Sequence, residues 1–288
     1  MIVPLRIGNI DVLFTHQYID YFKNELEKYR IDQLNSNYHE IKVEVKSNIE
    51  DVYSVDSFDY KNKKRIILED KTYIVTYYPD KTIKHRISYS KAYKEIVITL
   101  NNNLANRLPE YEYVLTGMMF FEVALHNGYL PIHASALAIN NKSILLSGPS
   151  GSGKSTQTKY FIDTYINSVI INEDKPLIFE ENNELFVCGT PWSGKNVQNN
   201  NIKVKLGTIL FLEKSNVFKL ENLNYKEKLK EVMRNIHRPG DEYNINQMVS
   251  LVEKIISKAT IYKYACTNNK TSSLSLGDIL EELNENQE

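Results

Sequence analysis

The stretch Gly148-Pro149-Ser150-Gly151-Ser152-Gly153-Lys154-Ser155 fits the pattern G-x-x-x-x-G-K-[ST] without a gap. Each residue type has a physical reason. Glycines let successive backbone N–H groups turn inward around an anion without Cβ clashes. The Lys154 amine can offset charge on β- and γ-phosphates, and the Ser155 hydroxyl can join a Mg2+ shell. An apolar run, Ile144-Leu145-Leu146, precedes the loop, and a helical pattern over about 155–165 follows it. That helix would point its positive end at the phosphates. Strand, glycine loop and helix in this order predict a nucleoside triphosphate held on Gly148, Ser150, Gly151, Ser152, Gly153, Lys154, Ser155 and Thr156.

Working outward, the next apolar run, Val169-Ile170-Ile171-Asn172, leads directly into Glu173-Asp174. A carboxylate at the end of a buried strand beside the loop suits Mg2+ binding or base work. His133 falls in a strand predicted over 131–139, joined by the turn Asn140-Asn141 to the loop strand over 143–147. Further strands are expected at 176–179, 185–188 and 207–212, with a hairpin loop at 181–184. Helices follow at 225–236 and 245–258, then a strand at 259–266, a last helix at 273–283 and a polar tail.

The first hundred residues read differently. Thr15 can cap a helix running to about Tyr29, with Ile19, Phe22 and Leu26 along one side. Short runs at 41–45, 65–68, 73–77, 83–88 and 95–99 predict a meander of antiparallel strands. Asn101-Asn102-Asn103 marks a boundary, and a helix is expected from Pro109 to Gly128. This gives a smaller N-terminal α+β domain over 1–105 and a phosphate-loop domain over 106–288. The N-terminal part has no phosphate loop and no metal-ligand cluster, so it is expected to position an acceptor or mediate assembly.

Composition narrows the function classes. The 288 residues are 42% hydrophobic and 25% charged, with 35 basic against 36 acidic side chains and a net charge of −1. Such a chain can bury a sizeable core and is too apolar for disorder. The charge balance argues against nucleic acid held by bulk positive charge. No export signal, lipidation signal or bilayer-length apolar run is found, so a cytoplasmic protein with no membrane partner is expected. Cys188 and Cys266 are too far apart for metal-ligand spacing and read as two buried thiols.

Four ordered runs carry a family resemblance: His133-Ala134-Ser135-Ala136-Leu137, the loop Gly148 to Thr156, Asn172-Glu173-Asp174-Lys175-Pro176, and Gly189-Thr190-Pro191-Trp192-Ser193-Gly194-Lys195. Together they resemble the HPr kinase/phosphorylase-like proteins, of the phosphoenolpyruvate carboxykinase-type nucleotide-binding fold. The likeness is good over about 131–211 and weak elsewhere. It looks nearest to the branch found in peptide-modification gene clusters, including those for lasso peptides, whose members phosphorylate a serine on a precursor peptide. The resemblance implies an α/β (α+β) fold with a mixed, twisted sheet in place of a parallel doubly wound one. It implies His133 as a site residue and Asp174 as the second of two adjacent aspartates, with Glu173 standing at the first. The C-terminal signature that supports phosphorolysis is not found, which favours a kinase without the reverse activity. HPr kinases are hexamers, and the resemblance leaves a homo-oligomer open.

The expectation is an ATP- and Mg2+-dependent kinase acting on a serine of a peptide or small protein. Lys154, Asp174, His133 and Glu173 would be catalytic, with Mg2+ on Ser155 and Asp174. A small-molecule kinase for free serine or a sugar, and a nucleotide-dependent regulatory module without transfer, are the alternatives. Further candidates are Trp192 as an adenine-stacking or cleft-wall residue, Lys195 as a phosphate or carboxylate partner, Asn201, and Arg238 on a loop.

Overall fold

The computed structural model describes residues 1–18, 23–194 and 198–267. The chain divides into two compact units, Met1–Asn127 and Gly128–Glu288. Both combine helices with mixed sheets, so the fold is α+β as the sequence implies.

The first unit contains β1 (Ile2–Ile7), β2 (Ile10–Thr15), α1 (Lys23–Glu27), β3 (His39–Lys46), β4 (Ser57–Tyr60), β5 (Lys63–Leu68), β6 (Lys71–Tyr77), β7 (Ile83–Ser90), β8 (Glu95–Asn101) and α2 (Leu108–His126). Its eight strands lie in the order β1-β2-β3-β8-β7-β6-β5-β4. The meander from β4 to β8 is antiparallel as expected, but β3 pairs parallel with both β2 and β8. Thr15 closes β2 and caps no helix; the expected positions Ile19 and Phe22 lie outside the described residues. The β1–β2 hairpin has a simple cause. Two alternating runs flank Gly8-Asn9, and Gly8 takes the positive φ of 60° that such a turn needs. Pro4, with no N–H to give a ladder, sits on β1 at the sheet edge.

The division falls after Asn127, beyond the expected 105/106, because α2 belongs to this unit. The Glu112 carboxylate on α2 accepts the backbone N–H groups of Gln17 (2.9 Å) and Tyr18 (3.1 Å), and the Asn127 amide reaches Nε2 of His39 on β3 at 3.0 Å.

The second unit contains β9 (Tyr129–Pro131), β10 (Ala134–Ile139), β11 (Lys142–Ser147), α3 (Lys154–Thr164), β12 (Val169–Asn172), β13 (Leu177–Glu181), β14 (Glu184–Cys188), β15 (Lys203–Lys214), β16 (Lys219–Asn222), α4 (Tyr225–Asn235), α5 (Glu242–Lys258) and β17 (Thr260–Cys266). Its main path runs β12-β10-β11-β15-β14-β13-β9, with β17 beside β15 and β16 beside β17. The β11, β15 and β17 strands are mutually parallel neighbours, whereas β10, β12, β13 and β14 pair antiparallel. Asn140-Asn141 and Asn182-Asn183 turn the β10–β11 and β13–β14 hairpins, all four with positive φ. Phe161 of α3 is fully buried against Leu137, Leu146, Leu210 and Tyr264 of the sheet. That packing fixes the helix, and with it the loop at the helix start. The expected helix over 273–283 and the polar tail lie outside the described residues.

Candidate active site

Strand direction brings the candidate residues together. Ser147, at the end of β11, pairs with Ala134 at the start of β10, so His133 emerges beside the loop. The end of β12 pairs with Ala136 of β10, which delivers Glu173 and Asp174 to the same end of the sheet. Parallel pairing sends the ends of β15 and β17 there too. The result is an open cavity of about 970 Å³ lined by His133, Ser150–Gln157, Glu173, Asp174, Ser193, Gly194, Lys214–Asn216, Cys266 and Thr267. Ligands in open α/β sheets bind outside strand ends in this way.

The loop has the backbone that an anion cradle needs. Gly148, Gly151 and Gly153 all take positive φ. A Cβ at Gly148 would stand 2.9 Å from the Ser152 hydroxyl and 3.2 Å from the Leu212 carbonyl, so only glycine fits there. Helix α3 starts directly after Gly153 with no side-chain cap on its first turn. Those N–H groups are free to meet phosphate oxygens. The Lys154 amine donates to the carbonyls of Gly148 (2.7 Å) and Pro149 (3.2 Å), folded back over the loop. Burial lowers its pKa, as does Lys175, while Asp174 works in the opposite direction.

Beside the loop, Nδ1 of His133 lies 2.8 Å from Oδ1 of Asp174. His133 is held from the backbone: its N–H donates to the Asn235 carbonyl at 2.6 Å, and its carbonyl accepts the Ser147 hydroxyl at 2.8 Å. Burial pushes the Asp174 carboxyl up, but His133, Lys175 and Lys154 together outweigh it, and the group is held below the usual carboxylate range. Asp174 is therefore ionised at neutral pH. Burial also lowers the Lys175 amine.

A second group of residues, not identified as functional from sequence, fixes this carboxylate. Asn172 is fully buried, and its Oδ1 accepts the N–H groups of Asp174 (2.8 Å) and Lys175 (2.6 Å). Its Nδ2 donates to the carbonyl of Thr190 at 2.8 Å. One amide thus ties the turn after β12 to the Thr190–Trp192 segment. The signal is present in principle, since Asn followed by a charged pair at a strand end favours a turn closed by the asparagine side chain. Gly194 then passes close over Asp174. Its φ is +76°, and a Cβ there would lie 3.0 Å from Cβ of Asp174. Ser193, also lining the cavity, is buried and accepts from Nδ2 of Asn199 at 3.1 Å.

Other sequence candidates fall elsewhere. Trp192 is 4% exposed and does not line the cavity; it anchors its loop in the core, and its carbonyl accepts from Thr190 at 3.2 Å. Asn201 and Arg238 are exposed residues outside the cavity lining. Lys195 lies outside the described residues. Cys188 and Cys266 are both buried free thiols, and burial pushes Cys188 up to about 12. Among the described residues, no three His, Cys, Asp or Glu side chains are grouped to hold a metal by themselves. Ser155 and Asp174 do line one cavity, and Mg2+ commonly takes one or two protein oxygens with the rest from phosphates and water. The donor set fits that mode. No helix among the described residues is long and apolar enough to cross a membrane.

No family model and no curated protein matches the chain. Among solved structures, the HPr(Ser) kinase/phosphatase from Coxiella burnetii is similar in part, at 16% identity and a TM-score of 0.22, the match covering 44% of this chain and 92% of that one.

Proposed function

We propose that this protein is an ATP- and Mg2+-dependent kinase that phosphorylates a serine hydroxyl on a peptide or small protein. The observation that carries the reading is the meeting of a phosphate loop with the His133–Asp174 pair in one cavity. Loop N–H groups and the start of α3 would bind the β- and γ-phosphates. Lys154 would leave the Gly148 carbonyl for the transferred phosphoryl group. Ser155 and Asp174 would hold Mg2+, which when bound neutralises charge that develops on the phosphates.

His133 and Asp174 would handle the acceptor proton. Nδ1 of His133 faces Asp174 at 2.8 Å; if Asp174 fixes the proton of the neutral ring there, Nε2 would be left to accept the serine hydroxyl proton. Glu173 lines the same cavity and is the other carboxylate that could orient the acceptor. The peptide acceptor is favoured by the resemblance of the Thr190-Pro191-Trp192-Ser193-Gly194 run to the peptide-cluster branch, and we assign residues 1–127 to acceptor positioning or assembly.

The test is transfer from Mg-ATP to HPr, to free serine and to small precursor peptides encoded near the gene, read by mass spectrometry. A gain of about 80 Da on a peptide serine is the expected product. Rapid transfer to HPr alone would overturn the peptide assignment, and turnover of free serine alone would replace it with a small-molecule kinase. Nucleotide binding without transfer to any acceptor would favour a regulatory module.

A further inference from the structure

The cavity has two sides, and the strand order separates them. The loop follows β11, which sits between β10 on one side and β15 on the other. His133, Glu173 and Asp174 come from β10 and β12. Lys214, Ser215 and Asn216 follow from the end of β15, and Cys266 and Thr267 from the end of β17, across the loop. The proposed chemistry occupies only the first side.

The second side is built as one wall. The Ser215 N–H donates to the Cys266 carbonyl at 3.0 Å, joining the two strand ends. Cys266 Sγ lies 3.8 Å from the Ser152 carbonyl, which sets β17 directly against the phosphate loop. Gln157 of α3 donates to the Thr267 carbonyl at 2.9 Å and accepts from the Tyr264 hydroxyl at 3.0 Å. These ties hold the wall against the helix whose start would hold the phosphates. Lys214 and Asn216 are the exposed polar side chains it presents to the cavity.

We infer that this wall is the nucleoside subsite, with Lys214 and Asn216 as the residues that hold the sugar and base of the triphosphate. The inference rests on the kinase reading above. If the γ-phosphoryl group faces His133 and Asp174, the rest of the nucleotide must lead away from them along the loop. The wall at β15 and β17 is the lining that lies in that direction. Its side chains have the right chemistry. An amide can both donate to and accept from the edge of a base, and an ammonium can donate to the ribose oxygens. Among the described residues no Phe, Tyr or Trp side chain lines the cavity, so what this wall offers the base is edge contact with Asn216 and Lys214. Because the Asn216 amide can turn to present either a donor or an acceptor, base selectivity should be shallow, with ATP and GTP bound within about tenfold of each other, the span of one or two neutral hydrogen bonds.

The experiment compares ATP with inorganic tripolyphosphate, both with Mg2+, by calorimetric titration of the full chain. Tripolyphosphate reports the loop alone, and the ratio of the two affinities reports the nucleoside contacts. Asn216→Ala and Lys214→Ala should each reduce that ratio about three- to tenfold while tripolyphosphate binding changes less than twofold, as loss of one hydrogen bond predicts. His133→Ala, across the loop, should leave the ratio unchanged. A ratio untouched by both wall variants, or one reduced by His133→Ala instead, overturns the assignment. If ATP and tripolyphosphate both fail to bind the wild-type chain, the phosphate-loop reading falls and takes this subsite with it. If both bind but no acceptor is phosphorylated, only the kinase reading is lost while the binding ratios still decide the subsite.

Discussion

At Asp174, four neighbouring influences decide the state of one carboxyl group. Burial alone would favour its neutral form, yet His133, Lys175 and Lys154 keep it ionised. Asp174→Asn should therefore cost a hundredfold or more in transfer, about what loss of a metal ligand or proton acceptor costs, with a smaller loss in triphosphate affinity. A larger loss in Glu173→Gln would move the catalytic carboxylate to Glu173, and near-normal rates in both variants would reject this strand end as catalytic. Lys154→Ala should abolish transfer and weaken ATP binding with an unchanged circular dichroism spectrum; wild-type turnover in it would reject the loop assignment. Gly194→Ala is a subtler probe. Its Cβ would stand 3.0 Å from Cβ of Asp174, so one of the two must shift. The shift needed is a few tenths of an ångström, at a backbone φ of +76° that also strains alanine, and since about 1 Å of misplacement costs about a hundredfold, a loss of up to about tenfold in rate is expected. Transfer falling in this variant with ATP affinity intact is the expected result, and an unchanged kcat would mean that Asp174 needs no fixed position. Outside the site, burial with help from Lys84 and Lys63 lowers His85 on β7 from 6.5 to about 4. Between those values the unfolded chain binds the extra proton. Stability from the neutral ring is thus full above about pH 6.5 and drains away toward pH 4, about 3 kcal/mol in all. Urea unfolding across that range should show the loss in the wild type and a flatter profile in His85→Leu; parallel profiles would count against it.

At the level of elements, Asn172 turns a strand end into a fixed site. It satisfies two backbone donors after β12 and reaches across to Thr190. Asn172→Ala leaves these groups buried without that partner, and should destabilise the protein by about 2 kcal/mol, within the usual range for a buried polar group that loses its bond. Denaturant midpoints would measure this, and an unchanged midpoint would show that the tie carries no energy. The same region shows what a sequence can and cannot reveal. The loop, the β12 strand and its carboxylates are legible because strict residue types and a short apolar run mark them. Both Asn-Asn hairpins are legible because asparagine tolerates positive φ. The β1–β2 hairpin is hidden although Gly8-Asn9 announces it, because Thr15 competes as a helix cap. Parallel pairing of β3 with β2 and β8 is not legible, since nothing local encodes which distant strand a strand will meet. Nor is the fate of Trp192: a single aromatic between proline and serine serves a ligand or a core equally well, and only packing decides.

Over the whole molecule, nucleotide chemistry is expected in one unit alone. The phosphate loop, both candidate carboxylates and the wall at β15 and β17 all belong to residues 128–288. Residues 1–127 contribute no glycine-rich loop of this kind. Their buried polar groups instead tie the unit's elements together, as where the Glu112 carboxyl takes the N–H groups of Gln17 and Tyr18. Hydrogen exchange on the full chain separates the two roles without cutting it. Ligand binding stabilises only what must open for the ligand to leave, by an amount set by concentration over Kd. At a hundred times Kd, Mg-ATP should slow exchange about a hundredfold for amides of residues 150–157 that exchange by opening of the site. Amides at 214–216 should slow with them if the nucleoside lies on the β15 and β17 wall, whereas tripolyphosphate should protect the loop but not that wall. Amides in 1–127 should keep their rates in either case. Protection there as strong as at the loop would assign nucleotide binding to the first unit, and its acceptor-positioning role would have to be given up.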